Sequence, residues 1–104
     1  AAMEAILTGE PLSAQRAYDL GLVNRLVVPG DELTAALALA AQICAAAPLA
    51  VWASRKVVLA ADFEDDETLK RMTNEQFAGV FASEDTREGL TAFIEKRPPN
   101  WQGR

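Results

Sequence analysis

Only one stretch of this chain reads as a β-strand. Leu22–Val28 is rich in β-branched residues and is stopped by Pro29-Gly30. A single strand cannot satisfy its own backbone N–H and C=O groups, so a strand here requires a partner that the sequence does not contain. The opening "AAMEAILTGE" points the same way, because it begins inside a helical pattern with no start methionine and no capping residue. The chain is therefore expected to be a piece of something larger.

Around that stretch the patterning is helical. Ala1–Leu7 reads as the tail of a helix stopped by Thr8-Gly9. Ser13 is a good N-cap for Ala14–Leu20, and Gly21 suits the left-handed residue that ends it. Asp31 is expected to cap a helix in which Leu33, Leu37, Ala40 and Cys44 follow the rhythm of one buried face. Ala47-Pro48 breaks that helix, and Pro48 suits the first position of the next. There Leu49, Trp52, Ala53, Lys56, Val57 and Ala60 share a face. A helix over 67–82 follows the acidic run Asp62–Glu67, with Leu69, Met72, Phe77, Val80 and Phe81 as its apolar side. Ser83 caps the last helix, anchored by Leu90, Phe93 and Ile94, which runs into Pro98-Pro99. The expectation is five or six helices and one strand.

Composition narrows the partners. At 104 residues the chain is at most one domain, and half of its residues are apolar. Ten basic residues are scattered against fifteen acidic ones, for a net charge of −5. Nucleic acid is excluded by the lack of a basic stripe, and no apolar stretch is long enough to span a bilayer. No signal-peptide pattern opens the chain. Cys44, the only cysteine, sits among apolar neighbours and is expected to be buried in a protein of a reducing, cytoplasmic compartment. There is no histidine, which removes the commonest general base and the commonest metal ligand.

Three ordered motifs carry a family resemblance. "LTGEPLSAQRAYDLGLVNRLVVPGDEL" (7–33), "APLAVWASRKVV" (47–58) and "FASEDTREGLTAFIEKRPPNWQGR" (81–104) are similar to successive stretches of the C-terminal portion of the crotonase superfamily, the enoyl-CoA hydratase/isomerase family. The resemblance implies a mainly α chain, the C-terminal helical region of a ββα-spiral fold. Residues 1–28 would end the spiral core with strand 22–28, and 31–104 would form the helical, oligomerising region. It also implies trimers or hexamers, acyl-CoA substrates, and coenzyme A only as part of the substrate. The family's oxyanion-binding amides and catalytic glutamates lie in the part preceding this sequence, so no catalytic residue is assigned here, and no metal ligand.

Phe93 and Lys96 match family residues near the adenine and phosphates of coenzyme A, and are the expected CoA-binding pair. An aromatic face can stack on a purine, and an ammonium three residues along a helix shares that side. A packed Phe with a Lys at a helix C-terminus fits the same spacing. Arg97 and Lys56 are weaker phosphate candidates. Trp101, Phe81 and Phe77 are expected interface residues, although Trp101 suits a tail packed on its own chain equally well. Glu84, Asp85 and Glu88 read as first-turn carboxylates placed for the helix dipole. A non-catalytic oligomerising module and one half of a split acyl-CoA enzyme are the rival readings.

Overall fold

The computed structural model describes residues 1–104 as six helices and no strand. They are α1 (Ala2–Thr8), α2 (Ala14–Asp19), α3 (Glu32–Cys44), α4 (Pro48–Ala60), α5 (Asp66–Phe81) and α6 (Glu84–Glu95). The chain divides into two compact units, Ala1–Ala38 and Leu39–Arg104.

In the first unit, local chemistry sets the ends of the helices. Ser13 Oγ accepts from the Arg16 amide at 3.1 Å, which satisfies one free donor at the start of α2. Gly21, at φ 74°, closes that helix, with its own N–H on Tyr18 O and the Leu22 N–H on Ala17 O, each at 2.9 Å. A side chain at Gly21 would meet no neighbour, so the positive φ alone explains the glycine. The expected strand over Leu22–Val28 does not form, and these residues are exposed and irregular. High β propensity does not supply a ladder, and no second strand lies in this chain to provide one.

The expected buried face of α3 is also corrected. Leu33, Leu37, Ala40 and Cys44 are all exposed, Cys44 as a free thiol. Periodicity marks a stripe as fit for burial, but burial needs a second surface and nothing covers this one.

In the second unit, α4 packs against α5. Leu49, Ala50, Ala53, Val57 and Ala60 are half-buried on α4, while Trp52 and Lys56 of the expected face are exposed. Leu69, Met72, Gln76 and Val80 are half-buried on α5. The carboxylate of Asp65 caps α5 by accepting from the Thr68 amide at 2.7 Å, which holds its pKa below the usual carboxylate value. Ser83 caps α6, accepting from the Thr86 amide at 3.2 Å while its own hydroxyl donates to Val80 O at 2.6 Å. Ala92 is the one fully buried apolar residue, and Leu90, Phe93 and Ile94, the expected anchors of α6, are exposed. No single helix is long and apolar enough to cross a membrane.

Candidate functional site

The densest set of specific contacts in the chain surrounds α6. After Lys96 the chain reverses and runs back along the helix. The Asn100 amide donates to Glu88 Oε1 at 2.6 Å, and those of Gln102 and Gly103 donate to Asp85 Oδ1 and Oδ2 at 2.6 and 2.9 Å. The Glu84 and Asp85 amides donate to Arg104 O at 2.8 and 3.2 Å. Two orphan donors of the α6 N-terminus are thus satisfied by the last residue of the chain. Asp85 is 1% exposed, and both of its oxygens are used.

Trp101 locks this tail sideways. Its Nε1 donates to Ala45 O, just past α3, at 2.9 Å. Its six-membered ring lies against Gly89, where an added Cβ would sit 3.1 Å from Cη2 and 3.3 Å from Cζ3. Gly89 is therefore needed for close approach, in the middle of a helix where glycine costs about 1 kcal/mol relative to alanine. Of the two roles the sequence left open for Trp101, the structure has it packed on its own chain.

Glu88 is the second anchor. It lies one turn further into α6 than the first-turn position expected for it. The Arg97 guanidinium donates to Glu88 Oε1 and Oε2 at 2.6 and 3.0 Å, and Arg97 Nε donates to Glu95 Oε2 at 2.6 Å. The Arg97 hydrogen bonds, followed by that of the Asn100 amide, hold the Glu88 pKa down to about 2. The same two carboxylates hold Arg97 firmly protonated. Arg97 is committed within its own chain and is set aside as a phosphate ligand.

Lys96 is exposed at the C-cap of α6. It has φ 57°, the only positive value outside glycine, and ends α6 with its N–H and that of Arg97 both on Ala92 O. A side-chain-bearing residue in this conformation costs roughly 1 kcal/mol or more. The turn brings Lys96 Nζ to 4.4 Å from the Phe93 ring centroid, in cation–π range. Phe93 is 72% exposed. Asp85, Glu88, Gly89 and Ala92 form the stripe of α6 under the tail, while Leu90, Phe93 and Ile94 form a separate, open stripe. The two expected CoA-binding residues are thus side by side and accessible.

Phe77 and Phe81 lie elsewhere, on the open side of α5. Their rings stack at 5.7 Å between centroids and 26° between planes, and they are 65% and 64% exposed. Phe77 also borders an apolar groove of about 360 Å³ between α4 and α5, lined by Ala53, Val57, Thr73 and Val80 among others. Lys56 lies in a neighbouring groove beside Trp52 and Glu75. Residues 85 and 88 were the anchors that sequence reading missed. The only available signal was the Arg97-Pro98-Pro99 break, which forces the chain to leave the helix axis but does not say where it goes.

The family model described as enoyl-CoA hydratase/isomerase matches residues 1–104. Enoyl-CoA hydratase EchA19 of Mycobacterium tuberculosis is 37% identical over 103 residues, covering 99% of this chain and 39% of that protein. Carnitinyl-CoA dehydratase of Proteus mirabilis is 38% identical over 105 residues, covering 97% and 40%. Among solved structures, an enoyl-CoA hydratase from M. tuberculosis H37Rv superposes with a TM-score of 0.94 at 44% identity, over 99% of this chain and 41% of that one. An enoyl-CoA hydratase from Bacillus anthracis gives 0.93 at 34%, over 99% and 40%. This chain therefore spans about two fifths of the length of the relatives it matches. Over that span both sequence and backbone follow the same pattern, and the chain belongs to the enoyl-CoA hydratase/isomerase family.

Proposed function

We propose that this chain acts as the C-terminal helical segment of an enoyl-CoA hydratase/isomerase-type enzyme of the cytoplasm. Its work is subunit association and coverage of the CoA end of an acyl-CoA pocket. The parent reaction is the reversible hydration of a trans-2-enoyl-CoA, with the reacting groups supplied from outside these residues. The observation that carries the reading is the accessible Phe93–Lys96 pair in a chain of this family. An exposed ring is a stacking platform for adenine, and a neighbouring ammonium free of any ion pair can meet a phosphate. Lys96 enters none of the ion pairs of α6 and its tail.

Association rests on the open apolar faces. Phe77 and Phe81 on α5 and Leu90 and Ile94 on α6 stand in water, where each Leu- or Phe-sized side chain forgoes about 1.5–3 kcal/mol of burial. A homotrimer or hexamer, or a further part of the same enzyme, would cover them. Those faces equally support a non-catalytic oligomerising module, which would associate without binding coenzyme A.

Calorimetric titration of coenzyme A into the protein and into Phe93→Ala tests the reading. Saturable binding that Phe93→Ala weakens about tenfold or more, the loss of one stacked base, is the expected result. Association in solution with no coenzyme A binding would leave the oligomerising module standing instead.

A further inference from the structure

Lysine is a poor occupant of a left-handed helix end, yet Lys96 holds φ 57°. The bonds from its own N–H and that of Arg97 to Ala92 O form wherever a helix closes in this way, and glycine is the usual residue. Something outside the turn must hold lysine there. The residue immediately after it is gripped by Glu88 through both carboxylate oxygens, and the same carboxylate takes the Asn100 amide. Pro98 prevents the helix from continuing instead.

We propose that Glu88 is a positioning residue for the Phe93–Lys96 pair: by gripping Arg97 and the Asn100 amide it turns the chain back at Lys96 and lays the lysine ammonium over the Phe93 ring. Glu88 makes no hydrogen bond or ion pair with either partner of the pair, and its effect passes through Arg97 and the Asn100 amide, which it holds. The arrangement pre-orders a long, four-carbon side chain that would otherwise sample many rotamers. Its value for coenzyme A rests on the function proposed above, while the geometry itself does not.

The test is the ring-current shift of the Lys96 ε-methylene protons, read by NMR on the full chain, with Phe93→Leu as the unshifted reference. Glu88→Ala and Arg97→Ala remove the grip from opposite sides, and both are expected to abolish the upfield shift. Glu84→Ala removes the exposed Arg104 pair at the far end of the tail, 2.9 Å long, and is expected to keep it. A shift that survives Glu88→Ala or Arg97→Ala, or that is lost equally in Glu84→Ala, overturns the proposal. Coenzyme A affinity is measured in parallel, and Glu88→Ala is expected to weaken it by up to about tenfold, the cost of re-ordering one long side chain. Loss of the shift with unchanged affinity would uphold the positioning role and show that pre-ordering Lys96 adds nothing to coenzyme A binding. The coenzyme A reading of the pair itself falls only if Phe93→Ala leaves the affinity unchanged.

Discussion

The Trp101 ring lies against Gly89 so closely that a methyl group there would stand 3.1 Å from Cη2. The indole cannot easily back away, because its Nε1 is held on Ala45 O at 2.9 Å. Two opposing effects therefore meet in Gly89→Ala. Helix propensity favours alanine by about 1 kcal/mol, while overpacking against a fixed ring costs roughly 1–3 kcal/mol. The overpacking term is the larger, so Gly89→Ala is expected to lower stability by about 1 kcal/mol, seen as a lower urea midpoint with unchanged slope. A raised midpoint would mean that the tail does not rest on α6 as described.

Asp85→Asn changes few atoms but removes one of two acceptors. Both Asp85 oxygens take backbone amides of the tail, and an asparagine must turn its own N–H₂ toward one of them. At a site 1% exposed no water can compensate, and a loss of about 2 kcal/mol is expected. The tail amides of Gln102 and Gly103 should then exchange with deuterium much faster than in the parent. Unchanged protection at those amides would disprove the anchor.

Acid should release the Glu88 grip. The Glu88 pKa is held down to about 2 in the fold, below its ordinary 4.5, by Arg97 and the Asn100 amide. A depressed carboxylate pKa contributes stability that is complete above the unfolded value. That contribution fades as pH falls from about 4.5 toward about 2. Side-chain carbon NMR of Glu88 should therefore show a midpoint far below that of an ordinary glutamate, and Glu88→Gln should remove this part of the acid dependence of stability. A Glu88 midpoint near 4.5 would contradict the clamp.

Helix ends were largely legible because their causes are local. Ser13, Ser83, Gly21 and Pro48 each act within a few residues, and each stands where the spacing predicts. Asp65 is a cap of the same kind, and the acidic run Asp62–Glu67 in which it sits offers several carboxylates with nothing local to single it out. The spacing predicts Phe93 and Lys96 on one side of a helix, whereas the structure brings them together through the left-handed turn at Lys96 that ends α6. The strand at Leu22–Val28 failed for the opposite reason, since a ladder depends on a second segment.

The sequence by itself determined where helices begin and end, and the family to which the chain belongs, because capping, proline and glycine chemistry and ordered motifs are written in neighbouring residues. Tertiary structure alone decided which faces are covered. Leu33, Leu37 and Cys44 have the right rhythm for burial and stay open, whereas Asp85, a charged residue, is the most buried side chain. It also decided the partners of Arg97, nine residues from Glu88, and of Trp101, fifty-six from Ala45. Periodicity describes one surface of a helix, while burial and pairing are properties of two surfaces, and the second is chosen only when the chain folds back.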